Sequence, residues 1–565
     1  MWRGMRIIAL IVLVLLIAAP SSWAADTYCG VDTDRSGTID FWCPAPDADR
    51  DAYFTDGLGP NAGTDCNDFD AMVYPGIITG VDCPAGQFHT CQSDGTYTAC
   101  AALSTFTCHT GSGATYWIDS AETTCAGTGA FADPIALNCI SDTGMGGYHA
   151  PVAGDCFVLR GGTYDDTWGS SPVKMIYVAN KDGNSTNKIT FRGAPGEEAI
   201  IEGQGTSPNV VHPFRLELSN YWFITQLTIR DGYSTNGIWV NGSENVEVSN
   251  VKAYDLDGNC GTDNCGGVMF DQGPHYVFVH HNYFADNYNR ASPLNQNNVV
   301  GVDGFQADHL RIDDNQAVCT RSGGCGYGYR IKHGTATGGD SISRNFTNHN
   351  YWAGISSSTS NIQIYNNFIA DGEPNPNKND GAISIVELGG PFYPVNVDIQ
   401  YNTAVNSWAL LYNPSTLYTS IGLLTYKNNV VVDNRATPYQ LAADYGFLSI
   451  CTYCSDTLYN DVVVGGLLDL DENCYFNDQA QTLYFSLFGA SSGGGGPTGA
   501  FYSGFSNWVS GTGYDSGSFN EDPDFDSYYI AQSANCASKG WRQFTAPPTI
   551  QWGILSNRLT RYNRR

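Results

Sequence analysis

From about residue 151 the chain alternates short apolar stretches with polar corners, and within each stretch apolar residues recur at every second position. Val277 and Val279, Leu310 and Ile312, Ile362 and Ile364, Val397 and Ile399, and Leu424 and Tyr426 each put two apolar side chains on one face of a strand. Three residues after each pair stands an asparagine: Asn282, Asn315, Asn367, Asn402 and Asn429, with Asn345 after Ile342 as a degenerate member. The units recur at 22 to 35 residues. Before most of them a glycine opens another short strand, as in Gly237-Ile238-Trp239, Gly267-Val268-Met269, Gly301-Val302-Asp303, Gly354-Ile355-Ser356 and Gly381-Ala382-Ile383. Two or three short strands per unit, with no helical period between them, predict that each unit is one coil of a solenoid. An inward asparagine at a fixed corner would bond to its neighbours above and below and satisfy backbone groups that a tight turn leaves unpaired, so these asparagines read as structural.

Strands that follow the glycines stack at about 4.8 Å from coil to coil. With Ile238/Val240, Val268/Phe270 and Tyr329/Ile331 pointing inward, alternation sends Trp239/Asn241, Met269/Asp271 and Arg330/Lys332 outward, and Asp303 falls between the last two. One exposed face is therefore expected to carry Asp271, Asp303, Arg330 and Lys332, with His333, His309, Ser356, Ser384 and Glu387 near its ends. That set suits β-elimination on a uronate, in which a cation neutralises the carboxylate and Lys332 or Arg330 removes the C5 proton. Hydrolysis would need two spaced carboxylates, for which Asp271 and Asp303 are the candidates. The bland reading is a row of charges kept for solubility, opposite signs on adjacent coils stabilising one another. His280-His281 reads as a wet strand-to-turn corner. Two short cysteine loops, Cys260 to Cys265 and Cys319 to Cys325, precede the charged strands and are expected to wall the face, and Trp239, Tyr283, Tyr288 and Tyr351 are aromatics that would stack on sugar rings.

The N-terminal part has a different character. Residues 1–24 read as an export signal: Arg3 and Arg6, an apolar run from Ile7 to Ala19, and a small-x-small site at Ser22-Trp23-Ala24. That run is short for a membrane span and no second one follows, so a secreted or cell-surface protein without a transmembrane anchor is expected. All 18 cysteines lie beyond it, ten of them between Cys29 and Cys156, which predicts disulfides and a stapled N-terminal module. Cys451 and Cys454 form a lone CxxC that lacks the companions of a metal site. Fifty-six acidic residues against 27 basic ones give a net charge of −29, which argues against nucleic acid as a partner and for a protein that holds cations. Sixty-four glycines and only 15% charged residues fit turn-rich β architecture.

Asp32, Asp34, Ser36 and Asp40 surround Gly37 with the ligand rhythm of a calcium loop, although Cys43 stands where the closing acid belongs. Asp47, Asp49 and Asp51, followed by Asp65-Cys66-Asn67-Asp68-Phe69-Asp70 and Val73-Tyr74-Pro75-Gly76, resemble the MopE-type metal-binding motif of bacterial secreted proteins, with Ala52 in place of its glycine. The resemblance implies Ca²⁺ as a cofactor, held by Asp32, Asp34, Ser36, Asp40, Asp47, Asp49, Asp51, Asp65, Asn67, Asp68 and Asp70. From Gly154-Asp155-Cys156-Phe157 through the closing Asp522-Pro523-Asp524-Phe525-Asp526, the repeat resembles the pectate-lyase-like superfamily of right-handed parallel β-helices. Gly328-Tyr329-Arg330-Ile331-Lys332-His333-Gly334 is similar to basic strands of chondroitinase-B-like and alginate lyases. The expected organisation is a signal (1–24), an Asp-rich calcium segment (25–80), a Cys-rich linker (81–150), the all-β helix (151–541) and a tail (542–565). The function this implies is action on an extracellular acidic polysaccharide, as a lyase first and a hydrolase second; the alternative is a non-catalytic adhesion or structural protein stiffened by calcium and disulfides.

Overall fold

The structure is a computed structural model. It describes residues 83–541 apart from loop segments, the longer of which are 141–148, 166–175, 204–211, 257–265, 289–297, 371–381, 387–395, 414–422, 433–447, 451–466 and 488–499; before residue 83 it describes only 29–31, 41–43 and 78–79. The eleven expected calcium ligands, the export segment, Cys260, Cys265, His333, Glu387, Cys451 and Cys454 lie outside the described residues.

Strands Gly266–Asp271, His275–His280 and Tyr283–Ala285 make one coil; Val302–Phe305, Asp308–Asp313 and Gln316–Val318 make the next. Each first strand pairs in parallel with the first strand of the neighbouring coil, and the second and third do the same. Repetition gives a 12-stranded sheet and a 22-stranded sheet, and the fold is a right-handed parallel β-helix. Inward positions stack into apolar columns such as Phe214, Ile238, Val268, Val302, Tyr329, Ile355 and Ile383, all buried. A strand with both neighbours present and an apolar inner face has little use for helix, and the one α-helix among the described residues is Phe505–Thr512.

The corner between second and third strands is built identically in seven coils. His281, Asp314, Arg344, Asn366, Tyr401, Asn428 and Glu472 each have φ between 53° and 59°, a conformation that costs an L-residue about 1–2 kcal/mol. The next residue is always asparagine: Asn282, Asn315, Asn345, Asn367, Asn402, Asn429 and Asn473. Asn367 is representative. Its backbone N–H and its Nδ2 both donate to Asn402 Oδ1, at 3.0 and 2.9 Å, and Nδ2 also donates to the Ile342 carbonyl at 2.9 Å. Its own Oδ1 accepts the N–H and the Nδ2 of Asn345. Every polar atom of the buried side chain is used, which offsets the strained corner. Asn345 is thus a full member, and Asn473 extends the stack beyond the five expected positions.

Both ends of the solenoid are closed. At the C-terminal end Asn473 Nδ2 donates to Asp515 Oδ1 at 3.1 Å, and the same carboxylate accepts Ser518 Oγ, the Tyr475 hydroxyl and Trp508 Nε1. Trp508, from the helix, is fully buried. At the N-terminal end, strand Thr115–Ile118 pairs in parallel with Cys156–Leu159, and Ile118, Ile135, Leu137 and Ile140 join the main apolar core. Disulfides Cys108–Cys156 and Cys125–Cys139 hold this cap. The solenoid therefore begins ahead of residue 151, and much of the expected linker is its first layer.

Candidate functional site

The outward face of the 12-stranded sheet has the register that alternation predicted. One column runs Tyr177, Arg215, Trp239, Met269, Asp303, Arg330, Ser356 and Ser384; beside it run Glu217, Asn241, Asp271, then Phe305 and Lys332. The expected exposure of the charged residues is not found. Asp303 is 0% exposed, Arg330 2% and Lys332 8%, and only Asp271 is half-buried. The physical reason is pairing. Arg330 grips Asp303 with two parallel bonds, Nε to Oδ1 at 3.0 Å and Nη2 to Oδ2 at 2.8 Å, the fork geometry that lets a buried charge pair persist. The guanidinium also lies 4.9 Å from the Tyr327 ring centre.

Lys332 Nζ stands 3.9 Å from Asp303 Oδ2, near the Phe305 ring. Burial is the main influence on it and lowers its pKa to about 8, with Arg330 adding to the fall and Asp303 and Asp271 opposing it. The Asp271 carboxyl moves the other way, raised by burial and by the Asp303 charge, while its Oδ1 accepts the Gln272 N–H at 2.7 Å. Ser356 Oγ, next to Arg330 in the column, and Asn241 Oδ1, next to Asp271, are buried without a hydrogen-bond partner among the described residues. The four expected site residues are therefore brought together, flanked by two unsatisfied polar atoms. Ser384 follows Ser356 in the same column, whereas His309 lies away from it on the second strand of its coil.

Cys319–Cys325 is bonded as expected, just ahead of the Arg330 strand. His280 and His281 are buried rather than wet: their Nδ1 atoms are 2.7 Å apart, and His280 Nε2 is 3.2 Å from Glu247. Burial would raise the Glu247 carboxyl, but His280 and Lys188 outweigh it and hold it down at about 2. A further group had no place in the expected site: Asp340, fully buried between the Leu310 N–H and Thr359 Oγ1, both at 2.9 Å, with its pKa pushed up to about 7 by burial. No helix among the described residues is long and apolar enough to cross a membrane.

No protein-family model and no curated protein matches this chain. Solved structures with a similar fold include an alginate lyase from Paenibacillus sp. (14% identity, TM-score 0.37, covering 64% of this chain and 93% of that one). The GH136 lacto-N-biosidase from Eubacterium ramulus is 14% identical, with TM-score 0.44 and 64% of each chain covered. PfbA, a surface adhesin of Streptococcus pneumoniae, is 12% identical, with TM-score 0.35 and 57% and 77% covered. Fold alone does not select a function.

Proposed function

We propose that the column face around Asp303 is the acidic-glycan site of a secreted polysaccharide lyase, with Lys332 as the base. The observation that carries this reading is the Lys332 environment: a largely buried amine with its pKa near 8, beside a second cation on the same strand face. In β-elimination the neutral amine takes the C5 proton, the C–H electrons form the C4–C5 double bond, and the C4–oxygen bond breaks as the leaving oxygen gains a proton. Arg330 is committed to Asp303 and so positions that cluster, which leaves Lys332 as the base. The same commitment weakens the hydrolytic alternative, because Asp303 is fully buried and engaged with Arg330.

The test is a panel of alginate, polygalacturonate and chondroitin, followed at the absorbance of the unsaturated product. Because the base must be unprotonated, turnover is expected to rise with pH up to about 8 and then level off. Lys332→Met should lower turnover at least ~100-fold while the fold is retained. If the parent cleaves none of these glycans, the lyase reading fails and the adhesion reading takes its place.

A further inference from the structure

Five disulfides lie among the described residues, and four of them are packed into the solenoid or its caps. Cys156, Cys139, both halves of Cys319–Cys325 and both halves of Cys474–Cys536 are buried members of apolar clusters. Cys83–Cys100 is different. It lies ahead of the solenoid, in the small antiparallel sheet of Ile78–Thr79, Gln87–Thr90 and Ala101–Ala102, where Cys83 precedes the middle strand and Cys100 the last. Cys83 is half-buried and Cys100 is exposed. A sulfur open to solvent is open to an incoming thiolate.

A histidine is fixed against this bond. His89, on the middle strand, is buried, and its ring stacks on Tyr97 with centres 3.8 Å apart and planes within 6°. Its Nδ1 stands 3.9 Å from Cys100 Sγ, and a ring nitrogen and both sulfurs lie within 4.8 Å of one another. Neither sulfur of a disulfide carries a proton, so in the Cys100 contact the imidazole N–H donates and the sulfur accepts. An N–H aimed at a sulfur stabilises the thiolate that sulfur becomes, and the better thiolate is the one that leaves in exchange. Cys83 is thus the sulfur to be attacked and Cys100 the one to be released. Cys319–Cys325 has the opposite neighbour, the Asp286 carboxylate, whose charge disfavours a thiolate.

We propose that Cys83–Cys100 is a thiol-exchange site, with a small thiol as its reactant and His89 as the group that supports the departing sulfur. The incoming thiolate bonds to Cys83 Sγ, the Sγ–Sγ bond breaks, and its electron pair passes to Cys100, whose thiolate keeps the hydrogen bond from Nδ1. A monothiol leaves a mixed disulfide on Cys83. The second thiol of a dithiol then displaces Cys83 in turn, so that both cysteines end reduced and the dithiol ends oxidised. Cys108–Cys156 still ties the chain to the first solenoid layer, and exchange opens the small sheet without opening the β-helix.

The test treats the native full chain with limiting dithiothreitol for increasing times, traps free thiols with iodoacetamide and maps the peptides. Cys83 and Cys100 should be alkylated at least ~10-fold faster than the cysteines of the other four disulfides. With free cysteine as a monothiol, the adduct should sit on Cys83 and the free thiol on Cys100. His89→Phe keeps a ring against Tyr97 and loses the N–H. It should slow the reaction roughly 10-fold and spread the adduct over both sulfurs, while the other disulfides react as in the parent. Should His89→Phe unfold the small sheet, the position of the adduct in the parent decides alone. Reduction no faster than at the buried disulfides, an adduct on Cys100, or a folded His89→Phe variant that reacts as the parent does overturns the site.

Discussion

Two polar arrays run along this solenoid, one inside a corner and one on a sheet face, and they handle burial in opposite ways. The asparagine stack is neutral, and at Asn367 each donor and acceptor is matched by an asparagine or a backbone carbonyl of the neighbouring coils. The Asp303 array is charged, built from different residues in each coil, and bordered by unpartnered Ser356 and Asn241 atoms. A neutral, self-satisfying array stabilises. A charged array that is only partly satisfied is tolerated where ligand or chemistry completes it, which is why the face rather than the corner is the functional candidate.

The comparison can be broken most severely at Arg330. Arg330→Met leaves Asp303 buried without its bidentate partner and should cost about 3–5 kcal/mol in denaturant unfolding, whereas the double variant with Asp303→Asn should recover most of that loss. A single variant as stable as the parent would mean the pair is not buried as described. Asn367→Ala interrupts the neutral array and should cost about 1–3 kcal/mol, less than Arg330→Met because the orphaned neighbours carry no net charge. An unchanged midpoint would show that the stack contributes nothing.

The smallest effect is expected at Asp340, and it depends on pH. Its folded-state pKa of about 7 lies above the ordinary carboxylate value, so between about 4 and 7 the folded state binds more protons than the unfolded state, and this group's contribution to stability falls as pH rises through that window. Asp340→Asn should therefore gain stability over the parent as the pH is raised from 5 to 8, read in denaturant unfolding at both values. Equal effects at both values would show that the carboxyl is ionised throughout.

How much of this was legible beforehand follows the same division. The corner asparagines repeat because one strained backbone geometry demands one side-chain chemistry in every coil, so periodicity exposes them. Asn473 carries the same signature, with Leu468 and Leu470 ahead of it, but 44 residues separate it from Asn429 and hide the rhythm. The face register was readable because alternation on a strand is strict. Burial of Asp303 and Arg330 was not, since it depends on what packs over the face and on a pairing between coils. Asp340 and Arg215 repeat in no pattern, and the N-terminal cap is a single layer without a repeat to betray it.

The direction of the asparagine stack bears on how such a chain changes length. From asparagine to asparagine the bonds run one way, each amide nitrogen donating to the amide oxygen of the C-terminal coil, so all internal junctions from Asn282 to Asn473 are interchangeable, whereas the ends are unique: the Val251 N–H at one, the Asp515 carboxylate at the other. Duplicating or deleting one whole coil in the interior reconnects like with like and strands no hydrogen bond. The same event at Asp515 removes the acceptor on which the row of aligned amides terminates. Variation in coil number among descendants of this gene is therefore expected between the two terminators, with the terminators themselves inherited unaltered.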